Sequence, residues 1–453
     1  MKEYDVIVIG AGVGTSIAFK ALSAGLKVAL VDKGSVGGTC LNVGCVPSKM
    51  LIYPADRAVE IEEAKRFGID AKIRAIDFTR VMDRMKTTVS MGRKFLKREI
   101  VNSENLDFYN KEAHFVGDYL LKIEDTTIKG KKIFIVSGSR PNIPPIKGLD
   151  KIEHLTNESV LKLEKRPRSL IIIGGGYIAT EYAHFFAAMG TKVTMVELGE
   201  RLVRDEEPEI SELLNKELSK RMDVFTDTET LEVRKARNSC IAVVRDKIKG
   251  KERRVAAERI MVATGRKSNA DLLRVEKADI ETDDAKFIRV DDHLSTNKKN
   301  VWALGDAIGK QMFTHAGYKE ADIAWHNATR AKKIKMDFSA VPRAVFTHPQ
   351  IASIGLRETE ARKDHEILVG KAKYADIVAG DTMDEKEGFA KAIVERNTGK
   401  ILGFHIIGPH ASIVIQEVVN AVANRSDIRS ITESIHIFPA LSEIVEETLN
   451  NLK

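Results

Sequence analysis

Asp5 to Asp32 reads DVIVIGAGVGTSIAFKALSAGLKVALVD, and the same layout returns at Ser169 to Glu197 as SLIIIGGGYIATEYAHFFAAMGTKVTMVE. Each copy is a short β-branched run, a glycine cluster, a helical stretch, a second apolar run and then an acid. This is the layout of a nucleotide-binding βαβ unit. One GxGxxG is a weak signal. Here both copies follow a β-rich run, open a helical run and reach an acid 22 and 23 residues after their first glycine. The repeat predicts an α/β chain with two Rossmann-like dinucleotide-binding domains.

The spacing has a physical reason. The first glycine (Gly10, Gly174) makes the tight turn, and the second (Gly12, Gly176) lets the backbone approach a pyrophosphate. The helix N-terminus beyond supplies partial positive charge. The closing acids, Asp32 and Glu197, accept hydrogen bonds from adenosine ribose hydroxyls, and the carboxylate of Glu197 repels a 2′-phosphate, so NAD(H) is favoured over NADP(H). The first copy departs from the pattern at Thr15, which stands where a glycine or alanine is usual and predicts a helix set slightly farther from its sheet.

At 453 residues the chain has room for about three domains of ~150 residues. With 43% apolar and 30% charged residues it reads as a soluble globular protein. The longest uncharged apolar run, Val6 to Phe19, is too short for a bilayer and lacks the flanks of a signal peptide, which suggests a cytoplasmic protein without a membrane partner. The net charge of +7 is scattered, and its densest basic groups, Lys162 to Arg168 and Lys247 to Arg254, are interrupted by acids. That pattern is a solvated surface rather than a nucleic-acid stripe.

Of three cysteines only Cys40 and Cys45, in GGTCLNVGCVPSK, are near each other. In an unbroken α-helix their Cα atoms would stand roughly 8.6 Å apart, beyond the ~7 Å a disulfide spans. A bridge therefore requires the segment to leave helical geometry, which Gly37, Gly38 and Gly44 permit, while Pro47 suits the first turn of a following helix. A cysteine at a helix start has its thiolate stabilised. The pair reads as a redox disulfide; a structural bridge or half a zinc site are the alternatives, but no second ligand pair completes a zinc site and no metal is expected. Cys240 reads as a small buried apolar residue in a strand.

Outward from the repeats the chain carries SGSRP (Ser137 to Pro141), ATGR (Ala263 to Arg266), ALGDA (Ala303 to Ala307), FTHPQIASIG (Phe346 to Gly355) and FPALSE (Phe438 to Glu443). In this order, together with GAGVG, GGTCLNVGCVPSK and GGGYIATE, the motifs resemble the FAD-dependent pyridine nucleotide-disulfide oxidoreductases along the whole chain. The resemblance implies an FAD-binding domain at 1–145 and 268–336, an NAD(H)-binding domain at 146–267 and an α+β dimerisation domain at 337–453, assembled as a homodimer. It implies that Gly10, Gly12, Gly14, Asp32, Lys33, Gly38, Thr39, Lys49, Ala113, Ser137, Gly138 and Asp306 line the FAD site. By the same likeness Gly174, Gly176, Tyr177, Ile178, Glu181, Glu197 and Gly265 bind the nicotinamide nucleotide. Cys45 is then the thiol against the flavin, Cys40 the thiol that meets substrate, and Lys49 and Glu181 an ion pair beside the flavin; a buried ammonium needs such a partner in any case.

One position departs from the resemblance. Most of the family has a histidine before the proline of the last motif, oriented by a glutamate five residues on, and this dyad serves the partner subunit's disulfide. Here Pro439 and Glu443 are present but the histidine position is Phe438. Phenylalanine can neither give nor take a proton, a service worth ~10²–10⁴-fold in rate. His436 lies two residues earlier, and in an extended segment both side chains would face one way, ~6.6 Å apart, so that His436 could substitute. The leading expectation is a thiol or disulfide substrate, dihydrolipoamide first. The alternative is a metal-ion acceptor, as in mercuric reductase, whose motif also reads Phe-Pro, or another acceptor that needs no base.

Overall fold

The computed structural model describes residues 1–453, which form two compact units: Met1–Met50 with Met82–Asn142 and Gly265–Phe338, and Leu51–Val81 with Ile143–Thr264 and Ser339–Lys453. The chain passes from one unit to the other at Met50/Leu51, Val81/Met82, Asn142/Ile143, Thr264/Gly265 and Phe338/Ser339. Residues 143–264 and 339–453 lie in the same unit, together with Leu51–Val81.

The first unit is built on a seven-stranded sheet. Its parallel part runs Leu106–Tyr109, Val28–Val31, Lys2–Ile9, Thr126–Ile135, and Val301–Ala303 also pairs with Thr126–Ile135. Val6, Ile7, Val8, Val28, Ala29 and Leu30 are fully buried, as strands covered on both faces require. Lys2–Ile9 has neighbours reached by connections on opposite sides, so the crevice at its carboxyl end is a switch point where a ligand fits. The loop Gly10–Val13 and the helix Gly14–Ser23 occupy that end.

The glycines there are obligatory. Gly10 has φ +117°, and a Cβ on it would run into the Val136 carbonyl. The expected loosening at Thr15 does not occur: Thr15 is buried and its hydroxyl donates to the Gly12 carbonyl at 2.8 Å. Close packing is kept by Gly14, where a Cβ would stand 2.8 Å from Val8 Cγ1.

In the second unit a parallel sheet of order Asp223–Phe225, Lys192–Val196, Ser169–Ile173, Arg259–Val262 repeats the design. Gly174 repeats Gly10, with φ +118° and the Ala263 carbonyl where a Cβ would go. A three-stranded antiparallel sheet follows, in which Cys240 opens the strand Cys240–Asp246 and is buried. The C-terminal part is a five-stranded antiparallel sheet of order Arg343–Val345, Gln350–Gly355, Ile401–Gly408, Phe389–Glu395, Ile367–Lys373. Ile354, Phe404 and Ile406 from this sheet form one core with Val418, Ile444 and Val445 from the helices Gln416–Ala423 and Glu443–Asn450. The fold is thus α/β with two Rossmann-like units and an α+β C-terminal part.

Candidate active site

The cysteine segment breaks where its glycines allow. Cys40 lies on the short helix Gly38–Val43, Gly44 turns the chain at φ −130°, ψ −117°, and Cys45 begins the helix Cys45–Glu63. Gly44 has no room for a side chain, since a Cβ would fall 2.9 Å from the Thr39 carbonyl oxygen. The three cysteines are unbridged thiols, and Cys40 and Cys45 share a hydrogen bond. That bond, followed by burial, holds the Cys40 thiol well above its ordinary value, while the Thr314 hydroxyl and the Val46 N–H work in the opposite direction. Thr314, first residue of the helix Thr314–Thr329, also places its Oγ1 3.2 Å from Cys45 Sγ. Lys49, half-buried, follows Cys45 by four residues and so lies on the same helix face.

The glycine loop and the cysteine segment touch backbone to backbone. Gly38 has φ +58°, and a Cβ on it would stand 2.7 Å from Gly12 Cα. Asp32 follows the strand Val28–Val31, and its Oδ2 accepts the Ala11 N–H at 2.6 Å and its Oδ1 the Gly34 N–H at 2.7 Å. These bonds fix the carboxylate at the mouth of the glycine loop. Lys33 pairs with Glu112 at 3.3 Å on an exposed surface, beside Ala113 at the head of its strand.

A second group of residues, distant in sequence, gathers around Asp306. Its Oδ2 accepts the Ser139 hydroxyl at 2.6 Å and lies 3.4 Å from Arg266 Nε, which itself donates to Ser139 Oγ at 2.6 Å. Gly305 takes φ +66°, and its N–H is held by Glu320 Oε2 at 2.5 Å. Glu320 is fully buried; burial first, then the nearby Asp306 charge, pushes its carboxyl up to about 7. Sequence reasoning missed Ser139, Arg266 and Glu320. The ATGR and SGSRP phrases carried a signal for the first two, and an acid inside an apolar helical face carried one for Glu320.

FAD fits this unit. Gly10, Gly12 and Gly38 form a backbone cradle that side chains would fill, and Ser137 Oγ is a buried polar atom without a hydrogen-bond partner. Gly138, Gly265 and Gly305 border open space at positive φ.

In the second unit Gly176, at the head of the helix Tyr177–Ala188, faces open space, and Ile178 follows in its first turn. Glu197 Oε1 accepts the Gly199 N–H at 2.6 Å. Tyr177 donates to Glu206 Oε1 at 2.6 Å, and burial, then that carboxylate's charge, pushes the phenol well up. Glu181 is buried and accepts the Phe346 N–H at 3.1 Å.

The C-terminal motif departs from expectation. Ser434–Ser442 is neither strand nor helix, and His436 and Phe438 do not share a face. The Phe438 ring is 71% exposed, with Ile435 and Ile437 exposed beside it. The His436 side chain is only 8% exposed; its Nε2 lies 2.8 Å from Glu417 Oε1, and its Nδ1 lies 3.3 Å from Glu446 Oε2 without hydrogen-bond geometry. Glu443 Oε1 accepts the Ala440 N–H at 2.6 Å. No cluster of three or more metal-ligating side chains occurs, and no helix is long and apolar enough to cross a membrane.

The family model for pyridine nucleotide-disulphide oxidoreductases matches residues 4–326, and that for their dimerisation domain matches residues 341–449. The chain is 34% identical to a mycothione reductase of Mycobacterium tuberculosis (strain CDC 1551 / Oshkosh), with 100% of both chains covered. It is 33% identical to a dihydrolipoyl dehydrogenase of Synechocystis, covering 98% of each, and 30% identical to a mercuric reductase of Staphylococcus aureus, covering 97% of this chain and 81% of that one. Among solved structures it resembles the Cu(II) complex of the HOCl-induced flavoprotein disulfide reductase RclA from Escherichia coli, with a TM-score of 0.88, 26% identity and 99% of each chain covered. The cofactors of this class are FAD and a pyridine nucleotide. By sequence along its whole length and by fold, the chain belongs to the pyridine nucleotide-disulphide oxidoreductase family.

Proposed function

We propose that the protein is an NADH-linked flavoprotein that passes electron pairs through Cys40 and Cys45 to a small thiol or disulfide substrate, with dihydrolipoamide as the first candidate. One observation carries this reading: two thiols in mutual hydrogen bond, at a helix start, against the glycine loop of a dinucleotide cradle. FAD, when bound, supplies two-electron transfer between nicotinamide and the cysteine pair. The chain's residues do the rest. Thr314 and the helix start hold Cys45 as the thiolate-forming partner, Cys40 meets substrate, and Asp306 and Asp32 fix the ribitol chain and the adenosine ribose. Lys49 lies beside the flavin, and Glu197 selects NAD(H). The exposed Ile435, Ile437 and Phe438 are offered to a second copy in a homodimer. A reducing cytoplasm suits a cysteine pair that must be reopened every cycle. Dihydrolipoamide:NAD⁺ turnover by the purified holoenzyme tests this; a rate no greater than that of Cys40→Ser contradicts it.

A second reading is favoured by the exposed Phe438 and the enclosed His436, which leave the motif without a free imidazole. An acceptor that needs no proton, such as a soft metal ion, suits that surface, and the likeness to a mercuric reductase and to a Cu(II)-bound disulfide reductase agrees with it. NADH oxidation stimulated by mercuric or cupric ions and lost in Cys40→Ser is the outcome it predicts.

A further inference from the structure

Reduction of a disulfide releases a thiolate that must be stabilised as it leaves, and neither Phe438 nor His436 offers a free donor for it. We propose that Tyr318, on the helix beside the cysteine pair, donates the hydrogen bond that stabilises the departing thiolate, which makes unactivated aliphatic disulfides competent substrates. This rests on the reading of Cys40 and Cys45 as a redox pair.

The placement follows from the helix Thr314–Thr329. Thr314 and Tyr318 are four residues apart and so share a face one turn apart. A helical side chain leans toward the N-terminus, so the Tyr318 ring covers the turn that Thr314 begins. Thr314 is hydrogen-bonded to both Cys45 and Cys40. Tyr318 is 49% exposed, so part of its side chain is covered and part is open to solvent. One turn further along that face Asp322 is engaged by Lys20, so its charge is already matched. Burial first, then the charge of Cys40, keeps the Tyr318 hydroxyl above its ordinary value. It therefore remains a donor throughout the neutral range and is too weak an acid to surrender its proton.

The Cys40 thiol gives its proton to water as its sulfur attacks one substrate sulfur; the Cys40–substrate bond forms, the substrate S–S bond breaks, and the leaving thiolate accepts the Tyr318 hydrogen bond before taking a proton from water. The Cys45 thiolate then attacks Cys40 Sγ, closing the internal disulfide and releasing the second substrate thiolate, which is stabilised and protonated in the same way. Two electrons pass from the cysteine pair to the substrate, and NADH restores them.

The test compares two substrates on the holoenzyme: an aliphatic disulfide such as lipoamide, and an aromatic nitrothiol disulfide whose thiolate leaves readily without a donor. In Tyr318→Phe the ratio of aliphatic to aromatic kcat/KM is expected to fall about 10²-fold, the usual effect of removing one such donor. Tyr318→His, which keeps a ring N–H, is expected to recover part of that loss. A Tyr318→Phe ratio equal to wild type, or Tyr318→His no better than Tyr318→Phe, overturns the assignment. In parallel the thiols released by NADH are counted in wild type. Two released thiols with an unchanged ratio overturn Tyr318 alone, whereas none released overturns the redox-pair reading and this inference with it.

Discussion

Gly12 and Gly38 meet with no side chain between them: a Cβ on Gly38 would stand 2.7 Å from Gly12 Cα, at a φ of +58°. Through this contact the loop that turns the first strand into its helix is seated directly on the segment that carries Cys40. The nucleotide cradle and the sulfur pair are thus one piece of backbone.

Gly38→Ala therefore costs twice, in strain at positive φ and in displacement of the Gly12 backbone. A loss on the order of 1–3 kcal/mol is expected. It should appear as a lower Tm and as reduced FAD content after gel filtration, whereas Gly68→Ala, at φ +75° but with open space around it, should keep its FAD.

Glu320 gives a pH signature. Its buried carboxyl is pushed from 4.5 up to about 7, so the folded chain holds a proton that the unfolded chain has released. Its stabilising effect is complete below about 4.5 and is lost as pH rises through about 7. At 1.36 kcal/mol per pH unit the interval amounts to about 3 kcal/mol, an upper figure. Glu320→Gln keeps an acceptor for the Gly305 N–H but has no proton to lose. Between pH 5 and pH 8 the wild-type Tm should fall relative to that of Glu320→Gln; parallel curves would contradict this.

Glu197, held by the Gly199 N–H, is the residue the proposed function assigns to the adenosine ribose. Glu197→Arg removes the charge that repels a 2′-phosphate and adds one that attracts it. The NADPH:NADH ratio of kcat/KM should rise at least about tenfold, or roughly 1.4 kcal/mol.

Local features were legible in the sequence because backbone geometry demands them. Gly10 and Gly174 must be glycine where a carbonyl stands in place of Cβ, so both fingerprints show as spacing. Gly44 likewise announced the break that lets Cys40 and Cys45 leave a common helix. What the sequence hid was assembled from afar. Ser139, Arg266, Asp306 and Glu320 meet across more than 160 positions, and no periodicity links them. The surroundings of His436 were hidden for a related reason: they are set by Glu417 and Glu446 on two separate helices, not by the two-residue alternation of a strand. The Thr15 expectation failed because Gly14, one residue earlier, provides the close packing.

The central claim is that Cys40 and Cys45 open and close as a disulfide while Cys240 stays apart. The direct measurement is a thiol count on the denatured holoenzyme, alkylated anaerobically before and after one equivalent of NADH. The account predicts one reactive thiol before and three after, with mass spectrometry placing the new labels on Cys40 and Cys45. Three thiols in both samples, or new labels elsewhere, would contradict it.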